Sequence, residues 1–296
     1  MRKEKIWYYV AAGLCVLGLL LCLGPLIANG FSLERMDPDS VYSEQHYAVQ
    51  AEGIDAVALE THNFRVEVKP TDSDEIRLTY YESRKVTYTI TEQDGVLRIA
   101  EQNHMQWYDY FANGLFGGLS AWNKAVTLEL PAGLACDLEL SSSNGDVSMQ
   151  DLQALGRVKL STSNGAVTIR DLSCSALEAF TSNGAITAER VTTAGDGQLQ
   201  TSNGRLWVSA ATAGGKFSAG TSNGEIAFEK LHGSELILST SNGAIYGSID
   251  GNKTDYTIRS STSNGGNNLG NQESTGGKTL DVSTTNGNID ISFNEN

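Results

Sequence analysis

Along most of the chain apolar and polar residues alternate in short bursts, and the bursts return about every twenty positions. The register is clearest when each unit is counted from the Asn of a recurring Asn-Gly pair, taken as position 0. Positions −6 and −4 are then mostly apolar: Leu138/Leu140, Val158/Leu160, Leu177/Ala179, Phe217/Ala219, Leu236/Leu238 and Leu280/Val282. Positions +3 and +5 are apolar again, as in Val147/Met149, Val167/Ile169, Leu206/Val208, Ile226/Phe228 and Ile289/Ile291. Position +8 often adds one more, as in Leu152, Leu172, Val191 and Leu231. Alternation of period two predicts two short strands per unit, each with one face turned inward. No unit holds a helical pattern.

The Asn-Gly pairs begin at Asn144, Asn164, Asn183, Asn203, Asn223, Asn242, Asn264 and Asn286, each preceded by two hydroxyl residues. The gaps are 20, 19, 20, 20, 19, 22 and 22 residues, which signals a repeat architecture. Asn-Gly suits a two-residue hairpin turn, so an antiparallel meander is one solution. A β-solenoid, in which the chain turns a corner and each coil stacks in parallel on the last, is the other. Parity favours the solenoid: counting −6, −4, −2, 0 puts Thr and Asn on the inward face with the Leu/Val pair. A buried Asn ladder, with its amides satisfied rung to rung and Gly supplying a positive φ, is the expected corner.

The predicted fold is therefore all-β, a parallel β-solenoid (β-helix-like, about 20 residues per coil) preceded by one N-terminal transmembrane helix. At about 4.8 Å per rung, the eight Asn-Gly coils make a rod on the order of 40 Å long. The template recurs without its Gly at Val57, Leu59, Thr61, Asn63, Val66 and Val68, so residues 51–130 read as degenerate coils carrying an aromatic loop at 104–122. Residues 131–296 form the Asn-Gly solenoid. Gly265 to Gly277 reads as a loop insertion, and the last coil (Ile289, Ile291, Phe293) looks uncapped, which makes the distal end a candidate partner surface or end-to-end homo-oligomer contact. Cys136 and Cys174 fall two rungs apart, beyond the usual disulfide reach of about 7 Å.

The N-terminus departs from this pattern. From Ile6 to Ala28 there is no charge, a run long enough to span a bilayer core. Arg2, Lys3 and Lys5 precede it and acids follow it, so residues 1–5 are assigned as a cytoplasmic tail, 6–28 as the anchor, 29–50 as a polar spacer, and the rest as extracytoplasmic. A cleaved signal peptide competes with the anchor, although no clean small-x-small site precedes Ser32. A lipoprotein signal would want a small residue just before Cys22, where Leu21 stands.

The Thr-Ser-Asn-Gly corners, the strand-rich opening from Ile54 to Tyr81, the Val126-Thr-Leu-Glu-Leu-Pro131 step and the preceding apolar segment resemble a family of bacterial putative-adhesin domains of unknown function, DUF4097-like β-solenoids. The resemblance covers about residues 50–296. It implies a β-solenoid at the cell envelope, often associated with envelope-stress systems, and carries no agreed catalytic residues.

Composition narrows the chemistry. With 21 basic against 35 acidic residues and a net charge of −14, nucleic acid is excluded as a partner class. The four histidines, His46, His62, His104 and His232, are dispersed, and no P-loop, nucleophile elbow or dinucleotide fingerprint is present, so no cofactor is expected. Two aromatic groups are candidate ligand or membrane surfaces. One is the loop with Trp107, Tyr108, Tyr110, Phe111 and Trp122, for which a cap or flap covering the solenoid's open end or side is the favoured reading and a sugar or lipid contact the other. The other is the outward +4 column, where Trp207 and Tyr246 stand two rungs apart around Ala227 and offer a stacking surface for a glycan. The expectation is a non-catalytic envelope-binding or scaffolding module. A stress sensor acting through a membrane protein partner is the alternative, with Gly13, Gly18 and Gly24 as packing points, and a polysaccharide enzyme needing a clustered acid pair is the second.

Overall fold

The structure, a computed structural model, describes residues 2–28, 41–104 and 124–294. One helix, α1 (Arg2–Ala28), covers the uncharged N-terminal run. Among the described residues no helix is long and apolar enough to cross a membrane. Within α1 the side chains at positions 2–6, 21, 22, 25 and 26 fall outside the described set.

All the strands belong to one sheet wound into a stack. Its opening part holds β1 (Ser43–Gln50), β2 (Ala56–Thr61), β3 (Arg65–Thr71), β4 (Glu75–Glu82), β5 (Val86–Gln93), β6 (Val96–Asn103) and β7 (Ala125–Pro131). The regular coils follow as β8 (Asp137–Ser142), β9 (Val147–Thr162), β10 (Val167–Thr181), β11 (Ile186–Thr193), β12 (Gly197–Thr201), β13 (Leu206–Thr221) and β14 (Ile226–Asn242). The chain closes with β15 (Ile245–Asp250), β16 (Tyr256–Asn264), β17 (Lys278–Asn286) and β18 (Ile289–Asn294).

Successive coils pair in parallel, as the solenoid reading requires: β8 with β9, β9 with β10, β10 with β11 and β12, and β13 with β14. The inward-facing arms form aliphatic columns. Val66, Val147, Val167, Ile186, Leu206, Ile226, Ile245 and Ile289 occupy successive rungs of one column, and every one is buried. Each such side chain contributes roughly 1.5–3 kcal/mol on leaving water. Gly197 replaces the expected apolar residue at −6, and the larger Phe217 of the next coil fills the gap.

The opening coils depart from a simple stack. β2 lies between β6 and β8, and β3 lies between β7 and β9, all in parallel. Antiparallel strands close this end: β5 runs against β6, β4 against β7, and β1 against β4. The assignment of residues 29–50 as spacer needs correction, because Tyr47 and Val49 alternate with polar neighbours and pack β1 half-buried onto β4.

The far end differs too. β17 pairs with β14 on one side and β16 on the other, and β18 pairs with β15. The last coil in sequence therefore sits inside the stack, and the distal rung is β16. The expected open final coil is absent from the tip. Residues 265–277 cover that end, with Gln272 exchanging backbone bonds with Ile258 at 2.7 and 3.0 Å. The Asn268 side chain acts as a substitute strand, donating to the Ile291 carbonyl and accepting from its amide.

Candidate functional site

The repeated corner is a ladder, and it faces outward. Asn144 donates from Nδ2 to Asn63 Oδ1 at 2.7 Å. The same bond repeats at 2.7–2.9 Å through Asn164, Asn183, Asn203, Asn223 and Asn242. It then passes to Asn286 and ends on Asn264. All eight Asn-Gly asparagines are exposed, which corrects the expected burial. The parity count fails because the backbone bends at −1 and 0, so Ser and Asn both turn to solvent.

Thr at −2 is the inward residue. Thr201 Oγ1 donates to the Gly184 carbonyl of the preceding coil at 2.9 Å and accepts from its own coil's Gly204 amide at 3.2 Å. Thr162 and Thr181 do the same. The corner glycines also work differently from the expectation. None has a positive φ. Glycine is required because a Cβ at Gly204 would fall on the Gly184 carbonyl, and one at Gly184 on that of Gly165.

At Thr61, in the first coil, the carboxylate of Glu101 stands where the later corners use a glycine carbonyl. Its buried carboxylate accepts from Thr61 Oγ1 at 2.5 Å and from the His62 amide at 2.7 Å. Tyr88 OH lies at 3.4 Å and His62 Nδ1 at 3.4 Å from it. Burial first, and the Glu101 charge second, push the Tyr88 phenol far above its ordinary value. Sequence reasoning missed this cluster, although Leu97, Ile99 and Glu101 alternate and point Glu101 inward. With Oε2 committed to Thr61 and the His62 backbone, Glu101 terminates the corner hydrogen bonding.

Of the two aromatic surfaces, the loop residues Trp107, Tyr108, Tyr110, Phe111 and Trp122 lie outside the described residues. The other surface is described in full. Trp207, Ala227 and Tyr246 are register partners on successive rungs of an outward column. Arg205 joins them: its Nε pairs with Glu225 at 2.8 Å, one terminal nitrogen donates to Tyr246 OH at 3.0 Å, and its guanidinium carbon is 5.8 Å from the Trp207 ring centre. Ala227, although outward-facing, is fully covered, while both rings are half-buried.

Elsewhere the outer faces carry cross-rung ion pairs such as Lys159–Glu139 at 2.7 Å and Arg190–Asp171 at 2.6 Å. The hydrogen bond from Arg190 holds the Asp171 carboxyl below its ordinary range. Among the described residues no group of three or more His, Cys, Asp or Glu side chains converges as a metal site.

A closed aliphatic interior, internally satisfied corners and an outer surface of polar and ion-paired side chains define a β-solenoid rod whose free chemistry lies on its outer faces. The chain matches the family model described as Toastrack DUF4097 over residues 54–292, and it belongs to that family. Among solved structures it is similar to a putative adhesin of Bacteroides fragilis, at 12% identity and a TM-score of 0.53, over 84% of this chain and 97% of that one. A putative cell adhesion protein of Clostridium sporogenes aligns at 11% identity over 86% of this chain and 100% of that one, with a TM-score of 0.26. The first likeness shows the fold alone, and the second carries no argument. No curated protein matches.

Proposed function

We propose that the chain is a membrane-anchored, extracytoplasmic and non-catalytic module that binds or scaffolds the cell envelope. One observation carries the reading. Trp7, Leu14, Leu17, Leu20 and the other large apolar side chains exposed among the described residues lie on α1, with Val41 the one exception. A helix that is apolar on all sides needs lipid or protein around it. The whole uncharged run, with positions 6, 21, 22, 25 and 26 included, spans 23 residues, against the roughly 20 that cross a bilayer core. The basic flank keeps its short N-terminal side in the cytoplasm and sends the rod outward. The absence of a catalytic motif, the acidic surface and the adhesin-like fold favour binding over catalysis for that rod.

The test has two arms. The full chain should stay with membranes through high salt and alkaline carbonate, and a Leu14→Arg/Leu17→Arg variant should become extractable. In intact cells added protease should reach the rod. Extraction of the unaltered chain by carbonate, or protection of the rod, would sink the anchor and its topology. In the second arm, detergent-solubilised chain should sediment with isolated cell walls. Failure to do so while the anchor holds would turn the reading toward a membrane-protein partner.

A further inference from the structure

We propose that Arg205, Trp207 and Tyr246 form a binding site for a neutral glycan on the outer face of the rod. The inference rests on the envelope-binding reading and names the class of ligand and the surface that takes it. Along the same outward column the preceding coils present Ser148, Thr168 and Thr187, so the aromatic pair interrupts a run of small polar residues. The two rings flank the buried Ala227 two rungs apart, separated by roughly 10 Å at the sheet's strand spacing. The half-exposed rings offer the flat apolar surface on which the C–H face of a pyranose packs.

The polar half of the site is already organised. Arg205 is held by Glu225, Tyr246 OH and the Trp207 ring, so little side-chain freedom is left to lose when a ligand arrives. Its second terminal nitrogen keeps its donors for sugar oxygens. Two residues beyond Trp207, Ser209 faces outward between Glu189, which is already paired with Arg170, and the exposed Glu229, so Ser209 and Glu229 supply acceptors for sugar hydroxyls. Charge selects against an acidic polymer. Glu225 neutralises Arg205, Glu229 stands nearby, and the chain as a whole carries −14. Apolar platform, fixed donors and flanking acceptors together match an uncharged sugar chain better than an acyl chain, which would leave the donors unpaired, or a phosphorylated headgroup or polymer, which the carboxylates would repel.

The experiment uses the full chain in detergent micelles, titrated with chitohexaose, cellohexaose and mannohexaose, with polygalacturonate as the anionic comparison. Intrinsic tryptophan fluorescence and calorimetry give the readout. At least one neutral hexasaccharide should bind, with Trp207→Ala weakening it about tenfold or more, as expected of a central aromatic anchor. Tyr246→Phe keeps the ring but releases Arg205, and should weaken binding by a smaller factor. Thr168→Ala, in the same column two rungs away, should change nothing. Thermal unfolding of each variant checks that the rod is intact. The site is overturned if none of the three neutral oligosaccharides binds, if Trp207→Ala binds as tightly as the unaltered chain, or if polygalacturonate binds more tightly than all of them. Sedimentation with cell walls separates the two levels of inference. Wall binding that survives in Trp207→Ala keeps the envelope reading and removes this site, whereas no wall binding by the unaltered chain removes the reading itself.

Discussion

Asn286, from the last coil of the chain, donates its amide to Asn242 at 2.8 Å, and Asn264 donates in turn to Asn286 at 2.7 Å. The spatial order of the final rungs is therefore 242, 286, 264, with the last coil threaded between two earlier ones. β16 cannot rest on β14 until β17 has filled the rung between them.

Truncation tests this order directly. A chain ending at Gly277 lacks β17 and β18, which would leave the inner edge of β16 unpaired and the column above Ile245 uncovered. Hydrogen exchange should show protection lost across residues 245–264, with the coils from β8 to β13 still protected, as expected of a stack held by nearest-neighbour contacts. Native protection of β16 in the truncated chain would mean that the last coil lies at the tip after all.

The two corner ladders should differ in strength, and in a definite order. Asn203 is exposed, so its loss in Asn203→Ala lets water replace the broken amide bonds at a cost of about 1 kcal/mol or less. Thr201 is buried, and Thr201→Val strands both the Gly184 carbonyl and the Gly204 amide, which should cost about 2–4 kcal/mol. Urea unfolding of the two variants decides. An Asn203 effect equal to or larger than that of Thr201 would contradict the inward Thr and outward Asn geometry.

Much of this was legible in the chain. The period-two bursts gave the arms and their inward faces, and the recurrent corner gave the stack. What escaped was set by geometry that side-chain identity does not carry. Alternation cannot be counted across a bend, so Asn144 and its equivalents were turned the wrong way. The Gly requirement comes from the approach of one coil to the next, which is invisible within a single coil. The order of the last rungs is a choice among parallel edges, and the 22-residue gaps around Asn264 marked an irregularity there without naming the partner. A second corner left no signature at all. Asp151, Asp171, Arg190, Ala210 and Lys230, seven residues after the first five corner asparagines, all take φ of 51–58°, yet they share no side-chain property. At the candidate site the Trp207/Tyr246 pair was readable from spacing, whereas the role of Arg205 depends on a side chain reaching across a coil.

The two corners respond oppositely to glycine. Gly204→Ala pushes a methyl group into the Gly184 carbonyl and should destabilise by about 2–3 kcal/mol, since the stacked backbone has no room to yield. Ala210 is exposed and left-handed at φ 52°, so Ala210→Gly relieves strain and should stabilise by up to about 1 kcal/mol. Thermal unfolding of the pair should move in opposite directions. A neutral Gly204→Ala would mean that the corners are less closely stacked than described.

The interior thiols provide a pH-linked check on core burial. Desolvation, the leading cause for both, raises Cys136 to about 11 and Cys174 to about 12 from an ordinary 9.0. A neutral thiol is favoured in the folded chain, so this contribution to stability is complete below pH 9. It is lost as the pH climbs from 9 toward 11 and 12, because the unfolded chain ionises first. In a Cys15→Ser/Cys22→Ser background, a thiol-specific disulfide reagent at pH 8 should leave both cysteines unmodified in the folded rod and modify both in urea. Between pH 9 and 11 the reaction should accelerate only as far as global opening does. Rapid labelling of Cys136 or Cys174 at pH 8 without unfolding would show that the interior around that residue admits solvent.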